Sequence, residues 1–320
     1  MERLSCSTRQ TTPPHPAVRC IYEFSGGDPG RTKAEDVLSR PPRILSPEQR
    51  EAYFENGYGD VPAVIDDAWL ARLRSASGEL IEKSRSLKAS DGTFDLEDKH
   101  TAENPRLRRI AFLDDLHPVF WEFSKESTIV DIAEDILGPN VTFRESLINY
   151  KWARGGQAVQ WHQDLPFYPH TNLSPAQFIV FLDDVELEQG PAQIIPGSHK
   201  GRIFDHYDDA DQWLGHIPST YLEEIDTDNA VALTGPAGTV TVHPGLAVHS
   251  SRQNLSEKGR PLLLTGYNAS HALPYPAPAF PRSPPRTRMA GVEPRMAETS
   301  RRIPRSRPAH RLPHSLPPSA

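Results

Sequence analysis

The sequence predicts an α+β protein, mainly β, in which N-terminal helices pack on a β-sandwich or jelly roll. Segments with helix-cap signals occupy the chain up to Gly138-Pro139. Beyond residue 141 the chain changes to short runs rich in Val, Ile, Phe and Thr, separated by Gly and Pro. Such runs are typical of strands joined by turns. A block of helices followed by a block of strands indicates this fold class.

The helices are predicted from their ends. Residues 46–49 read Ser-Pro-Glu-Gln, which places Ser at the N-cap, Pro at the first helical position and Gln at the third. Asn56-Gly57 is a C-cap signal. The expected helices are 47–56, a second capped by Asp66 and ending near Lys83, and a third from about Ser127 to Leu137. We expect a short extended segment at 58–65 and a loop over 84–104.

The strand-rich half contains one long interruption. The candidate strands are 142–152, 157–163, 177–183, 192–195, 238–243, 246–250 and 261–269. Residues 203–230 are acidic and aromatic and break the strand pattern. A long insertion of this kind often forms a lid or a substrate loop.

The ends of the chain differ from its body in composition. The last 45 residues contain 11 Pro and 9 Arg against 2 Glu, so this segment carries about +7 while the whole chain carries −7. Residues 1–43 lack sustained periodicity, with one short strand expected at Ala17–Phe24. Segments that bury little apolar surface cannot offset their ordering entropy. We therefore expect disordered segments at 1–43 and 277–320 around a single domain at 44–276.

Composition also limits location and partners. The two cysteines, Cys6 and Cys20, give no disulfide framework, and no apolar run has the length of a signal peptide or a membrane helix. The sequence ends Pro-Pro-Ser-Ala, which is not a peroxisomal signal. The basic tail lacks interleaved aromatic residues. We expect a cytoplasmic protein with no membrane or nucleic-acid partner, and the sequence leaves its oligomeric state open.

One segment has the spacing of a metal site. His162 and Asp164 lie two residues apart in a predicted strand, so both side chains point to the same face. A third ligand is available in His249. Two His and one carboxylate on one side of a metal form the facial triad of non-haem Fe(II) oxygenases, with open positions for cosubstrate and O₂.

Several motifs resemble the phytanoyl-CoA dioxygenase family over about residues 46–275. The motifs are Trp161-His162-Gln163-Asp164-Leu165, Asp183-Asp184-Val185, Gln189-Gly190-Pro191, Pro196-Gly197-Ser198-His199-Lys200-Gly201 and His249-Ser250-Ser251 with Asn254 and Arg260. The resemblance implies a double-stranded β-helix core of the jelly-roll, cupin-like type that binds Fe(II), 2-oxoglutarate and O₂. It also implies that the chain is an oxidoreductase.

The resemblance assigns roles to individual residues. It implies that His162, Asp164 and His249 are the iron ligands, and that Arg260 and Ser251 hold the far carboxylate of 2-oxoglutarate. A planar guanidinium suits that carboxylate because it can bind bidentately. On the substrate side the resemblance implies three further residues, namely Gln163, Lys151 and Phe178.

These features favour an Fe(II)- and 2-oxoglutarate-dependent dioxygenase that hydroxylates a small organic metabolite, with release of succinate and CO₂. A non-catalytic or inactive jelly-roll binding protein is the main alternative, although Arg260 and Ser251 argue against it. A halogenase lacks the metal carboxylate, whereas Asp164 is present. An acyl-CoA hydroxylase would need a CoA-binding signal that the sequence lacks, and a zinc hydrolase would need a general base.

Other polar residues are given structural roles. His199 is expected in a turn, and His243 and His170 lie close to the ligands in sequence. The Asp183-Asp184 pair is expected to cap a turn. The basic cluster at 106–109 either contacts an anionic substrate or forms a solvated face.

Overall fold

The computed structural model describes residues 34–274 and 287–288. The helices are α1 (Ala34–Leu38), α2 (Pro47–Asn56), α3 (Asp67–Ser84), α4 (Leu113–Leu116), α5 (Pro118–Glu126) and α6 (Ile129–Leu137). The strands are β1 (Gly59–Val61), β2 (Phe94–Leu96), β3 (Leu107–Ala111), β4 (Val141–Lys151), β5 (Val159–His162), β6 (Ala176–Phe181), β7 (Ala192–Ile194), β8 (Val231–Ala232), β9 (Val240–Pro244), β10 (His249–Ser251), β11 (Arg260–Ala269) and β12 (Thr287–Arg288). In these described ranges no helix has the length and apolar character needed to cross a membrane.

Helix boundaries follow the cap signals of the sequence. Ser46 accepts a hydrogen bond from the backbone N–H of Gln49, whose side chain in turn accepts from the Ser46 N–H, so the capping box of α2 is complete. Gly57 ends this helix with φ of 76°. A Cβ at Gly57 would also meet the His199 ring. Asp66 caps α3 through the backbone N–H of Trp69.

The larger sheet is antiparallel and has the strand order β1-β9-β6-β11-β4-β3-β2, with β12 paired to one end of β4. Its outer face packs against α3, α5 and α6 around large apolar side chains. Those fully buried in this layer include Leu73, Phe120, Phe123, Phe178 and Tyr267. These side chains fill the space between the helices and the sheet that supports the site.

The smaller sheet has the order β5-β10-β7-β8. A second core joins the inner faces of the two sheets, with Ile179, Phe181 and Leu262 from the larger sheet against Ala192 and Ile194 from the smaller one. Two antiparallel sheets with a shared core form the jelly roll that the sequence predicts.

The insertion at 203–230 packs on the smaller sheet. Phe204, Ile217 and Ile225 form an apolar cluster with Ile195 and Val248, and Trp161 packs against it. The backbone N–H of Ile217 donates to the Trp161 carbonyl at 2.8 Å. The insertion therefore covers the outer side of β5.

Some predicted boundaries need correction. The segment predicted as a loop over 84–104 contains β2, the basic cluster lies on β3, and α5 was not predicted. The segment predicted to be disordered up to residue 43 contains α1. The backbone N–H groups of Arg43, Ile44 and Leu45 donate to the Asp135 carboxylate, which joins this segment to α6. In the segment predicted as a disordered tail, Thr287 and Arg288 pair with β4. The strand expected at 17–24 lies outside the described residues.

Candidate active site

Three predicted ligands meet between β5 and β10. His162 and His249 are directly paired across these antiparallel strands, and their ring centroids lie 4.0 Å apart. Asp164 follows β5 by two residues, and its Oδ1 lies 3.6 Å from Nε2 of each histidine. One donor atom from each residue lies within 4.8 Å of the other two. The strand pairing and the turn that follows β5 therefore bring two imidazoles and a carboxylate to one point.

Backbone hydrogen bonds fix the tautomer of both histidines. The Nδ1 atoms of His162 and His249 lie 2.9 Å from the carbonyls of Gln160 and Ala247 respectively. A carbonyl only accepts, so each Nδ1 carries the proton and donates. Each Nε2 keeps its lone pair and faces Asp164, which is the arrangement that metal-binding histidines require.

Burial sets the charges of the three ligands. It lowers the pKa of His162 to about 4, with a further contribution from neighbouring His249, and lowers that of His249 to about 4. Both imidazoles are therefore neutral at neutral pH. Burial opposes ionisation of Asp164, but His249, His243 and His162 together hold the pKa of this carboxyl below its usual range. The donor set therefore carries one negative charge and two neutral nitrogens.

His243 orients the carboxylate ligand. This β9 side chain is 1% exposed, and its Nε2 lies 3.3 Å from Asp164 Oδ2. Because a carboxylate accepts, Nε2 donates, and this bond turns the other oxygen toward His162 and His249. The sequence did not identify this role. The sequence feature that could have indicated it is the two-residue spacing of Thr241 and His243, which places both side chains on the face of β9 that points into the jelly roll.

A second polar group lies beside the triad. Ser251 follows His249 by two residues on β10, and its Oγ accepts from Lys151 Nζ at 2.8 Å. Lys151 also donates to the Arg252 carbonyl. Arg260 on β11 is the register partner of Lys151 on β4. The structure thus places Arg260, Ser251 and Lys151 together.

Arg260 has an unusual environment for a guanidinium. It is 4% exposed, its Nε has no hydrogen-bond partner, and no acidic side chain in the described ranges pairs with it. Burial lowers its pKa to about 9. Burial, together with the charges of Arg260 and Arg108, lowers the pKa of Lys151 to about 6. A buried positive site without a carboxylate partner is suited to an anionic ligand.

Two residues predicted on the substrate side have other roles. Gln163 is fully buried, and its amide donates to the carbonyls of Arg202 and Leu246 and accepts from the Phe204 N–H. All of these partners are backbone groups, so Gln163 fastens loops together and the substrate role is wrong. Phe178 points to the outer face of its sheet, where its ring contacts Tyr267 edge to face at 5.2 Å. It belongs to the helix-facing core, so the prediction for Phe178 is also wrong.

Aromatic side chains that the sequence did not single out flank the triad. Phe167 contacts the His162 ring edge to face at 5.9 Å and the Trp213 ring at 5.1 Å. His206, from the insertion, stacks on Trp213, and its Nε2 accepts from the Gln163 N–H at 3.1 Å. The insertion therefore reaches the metal-ligand segment with an apolar, aromatic surface.

The remaining predicted side chains are structural. His199 donates from Nε2 to the Phe54 carbonyl at 3.0 Å, which agrees with its expected role in a turn. Asp184 accepts from the Ala237 N–H, and Asp183 pairs with Arg74. The basic residues on or beside β3 pair with acidic residues on or beside β2 at 2.8–3.7 Å, so they are neither a free anion site nor a solvated face.

The sequence matches a known family model. The model described as phytanoyl-CoA dioxygenase matches residues 53–262, which include all three predicted metal ligands and Arg260. The chain is 31% identical over 229 residues to a protein of Stutzerimonas stutzeri named probable alpha-ketoglutarate-dependent hypophosphite dioxygenase. That match covers 71% of this chain and 80% of the relative.

Two further matches agree with this one. L-proline trans-4-hydroxylase of Streptomyces griseoviridis is 30% identical over 253 residues, covering 73% of this chain and 88% of the relative. Among solved structures, EctD from S. alaskensis with 2-oxoglutarate and 5-hydroxyectoine superposes with a TM-score of 0.63 at 22% identity. That match covers 91% of this chain and 96% of EctD, and at this identity it supports the fold alone.

Proposed function

The chain belongs to the phytanoyl-CoA dioxygenase family of Fe(II)- and 2-oxoglutarate-dependent oxygenases, and we propose that it hydroxylates a small organic metabolite at an iron held by His162, Asp164 and His249. As a member of this family it is a 2-oxoglutarate-dependent dioxygenase. The observation that carries the ligand assignment is the convergence of three donor atoms within 4.8 Å. Hypophosphite and L-proline, named for the two relatives, are both small molecules.

The donor set fits Fe(II). The Nε2 lone pairs of His162 and His249 converge with one Asp164 oxygen, and the Nδ1 atoms of both histidines already donate to carbonyls. A two-histidine, one-carboxylate set on one side of an ion is characteristic of non-haem Fe(II) oxygenases. The single negative charge of Asp164 leaves a divalent ion with net positive charge, which favours chelation of an anionic 2-oxo acid.

The positive pocket fits 2-oxoglutarate. Arg260 is buried without an acidic partner, and a carboxylate can bind its guanidinium bidentately. Ser251 lies on the same strand as His249, two residues on, so a cosubstrate could reach from the triad to its hydroxyl. Lys151 donates to Ser251 and adds positive charge when protonated.

The chain's own residues position the reactants. Bound Fe(II) and 2-oxoglutarate supply the oxidation, in which 2-oxoglutarate and O₂ give succinate and CO₂ and one oxygen atom enters a substrate C–H bond. His243 holds one oxygen of Asp164 so that the other stays directed at the histidines. Phe167 and Trp213 keep water from the side of His162 that the insertion covers. Arg260 anchors the cosubstrate carboxylate that is remote from the metal.

The location follows from the same proposal. Cys6 and Cys20 give no disulfide framework, so a reducing compartment is the default, and Fe(II) must also stay reduced between turnovers. We therefore propose a cytoplasmic enzyme.

The test is metal binding and cosubstrate turnover in matched variants. Purified wild-type protein with Fe(II) should release succinate from 2-oxoglutarate when candidate small molecules are added. His162→Ala and Asp164→Ala should each abolish Fe(II) binding by calorimetry and succinate release while retaining the circular dichroism of the fold. Glu51→Ala, which removes an exposed carboxylate on α2 outside the site, is the control and should behave as wild type. Iron affinity unchanged in both ligand variants would contradict the assignment.

A further inference from the structure

A buried polar cluster that the proposed reaction does not use lies on the inner face of the larger sheet. It consists of Arg144, Glu145 and Gln177, which are 8%, 7% and 4% exposed. Charged residues are seldom buried to this degree unless they are fully paired. We call these three residues the Arg144–Glu145–Gln177 cluster.

A β-bulge creates the cluster. On β11, Gly266 pairs with Glu145 and the next residue, Tyr267, pairs with Phe143, so Arg144 is the extra residue on β4. A bulge interrupts the alternation of side chains along a strand, and bulges are enriched beside active sites, where they redirect a side chain. Here Arg144 and Glu145 are adjacent in sequence, and both reach the inner face.

Gly266 leaves the space that the guanidinium occupies. A Cβ at this position would lie 2.6 Å from both Nε and Nη2 of Arg144. Across this gap, Arg144 Nη2 donates to Gln177 Oε1 at 2.5 Å. The guanidinium carbon also lies 4.3 Å from the centre of the Tyr168 ring. The Arg144 side chain therefore extends from β4 across β11 to β6.

Two links connect the cluster to the triad. Gln177 on β6 is the register partner of His243 on β9, which bonds Asp164. Paired strands lie about 4.8 Å apart, so the amide is roughly one strand spacing from the residue that orients the metal ligand. Tyr168 belongs to the turn that follows Asp164, with its N–H directed to the Asp164 carbonyl at 3.3 Å. Its hydroxyl bonds the Glu145 carboxylate.

The cluster has polar atoms to spare. Arg144 Nε, Glu145 Oε1 and Gln177 Nε2 are buried and have no hydrogen-bond partner in the described part of the chain. The nearest approach between the two charges, Arg144 Nε to Glu145 Oε1 at 3.3 Å, is not aligned as a hydrogen bond. Two donors and one acceptor therefore remain for a ligand.

We propose that the Arg144–Glu145–Gln177 cluster recognises the substrate, and that the substrate is a small zwitterion. Its carboxylate pairs with Arg144 and Gln177, and its ammonium group pairs with Glu145. The opposite charges of the arginine and the glutamate suit a ligand that carries both signs better than a simple anion. The short path through Gln177 and His243 places the oxidised C–H bond a few atoms from the charged groups. This inference rests on the proposed function, because it assigns the substrate of the same iron site.

The experiment uses the full chain loaded with Fe(II) and 2-oxoglutarate. Succinate release is measured with a panel of α-amino, β-amino and cyclic amino acids. For each amino acid that stimulates release, the carboxylic acid without the amine and the amine without the carboxylate are tested beside it. We expect at least one zwitterion to stimulate release and to be hydroxylated, and we expect its two single-charge analogues to be at least tenfold weaker.

Variants test the residues themselves. Glu145→Gln keeps the size of the side chain and should raise the KM of the zwitterion by about 10- to 100-fold, because it removes the negative charge that pairs with the ammonium group. Its affinities for Fe(II) and 2-oxoglutarate should stay within twofold of wild type. Gly266→Ala keeps both charges but displaces the guanidinium, and should raise the same KM. Glu51→Gln, an exposed change on α2, is the control and should match wild type in every assay.

The outcomes are separable. Absence of Fe(II) or 2-oxoglutarate binding in wild type would refute the proposed function itself. Normal binding of both without stimulation by any zwitterion would refute this inference alone. So would equal activity of a deaminated analogue, or an unchanged KM in folded Glu145→Gln and Gly266→Ala proteins.

Discussion

Arg260→Met should stabilise the ligand-free protein while removing most of its response to 2-oxoglutarate. Burial lowers the pKa of this guanidinium from 12.5 to about 9. At about 1.4 kcal/mol for each pKa unit, keeping the charge in the ligand-free fold costs on the order of 5 kcal/mol. Methionine fills a similar volume without that cost. Replacing buried charge by apolar side chains has raised stability by roughly 1–4 kcal/mol in other proteins.

The expected shifts are large enough to measure by thermal unfolding. For domains of this size, 1 kcal/mol corresponds to about 2–4 °C in Tm, so the ligand-free, Fe(II)-loaded variant should melt several degrees above wild type. Wild type at a 2-oxoglutarate concentration of 100 times Kd should gain about 2.7 kcal/mol. Removal of a buried charged partner costs roughly 2–5 kcal/mol of binding, so the variant should gain less than about 1 kcal/mol at that concentration.

The control is Arg252→Met, which changes an exposed arginine close in sequence. Its melting temperature and its 2-oxoglutarate shift should match wild type. The reasoning fails if Arg260→Met melts below wild type and still shifts with 2-oxoglutarate. In that case the buried guanidinium is a structural residue, and Arg252 becomes the next candidate for the carboxylate.

Three further predictions concern the surroundings of the triad. The pKa of Lys151 is lowered to about 6, so the amine is mostly neutral above that pH until a carboxylate binds beside it. Binding of 2-oxoglutarate at pH 7.5 should therefore take up close to one proton and should weaken as pH rises. Calorimetry in buffers of different ionisation enthalpy measures this uptake, which Lys151→Gln should lose. His243→Phe should lower iron affinity by about 10- to 100-fold without loss of the fold, because it frees the Asp164 carboxylate to rotate; affinity equal to wild type would refute the orienting role. Gln163→Leu should lower the free energy of unfolding by roughly 2–5 kcal/mol, since it leaves three buried backbone groups unpaired; unchanged denaturant stability would contradict this.

The convergence of His162 and Asp164 could be predicted because its geometry is local. Two residues at i and i+2 on a strand share a face whatever the sheet order, so His162 and Asp164 were expected to converge. The cap signals of α2 are equally local, and Ser46, Gln49 and Gly57 behave as their positions indicate. The third ligand required a long-range pairing, and here the family resemblance supplied what periodicity could not.

The faces of buried strands could not be predicted from the sequence. All six residues of β6 are buried, so alternation of polar and apolar residues gives no sign of which face Phe178 takes. Gln163 follows His162 directly, so on a regular strand its side chain points to the opposite face. The sequence could not show that the insertion at 203–230 would meet it there and engage its amide with backbone groups. The β3 strand was missed because its charged residues find acidic partners on or beside β2, which periodicity does not reveal.

The candidate metal ligands and the Arg144–Glu145–Gln177 cluster therefore depend on different features of the sequence. The convergence of His162, Asp164 and His249 depends on one cross-strand pair and on the turn after β5, so it survives changes that preserve β5, β10 and that turn. The Arg144–Glu145–Gln177 cluster depends on a single extra residue in β4 and on the absence of a side chain at Gly266. Adjacent residues cannot share a face in a regular strand, so no periodic pattern in the sequence predicts this cluster. A shift of that bulge would turn Arg144 away without moving His162, Asp164 or His249. On this argument the substrate can change while the iron and 2-oxoglutarate sites stay the same. The bulge and the strands β5 and β10 lie on different sheets, and Arg260 and Lys151 pair at the opposite end of β11 and β4 from Gly266 and Arg144.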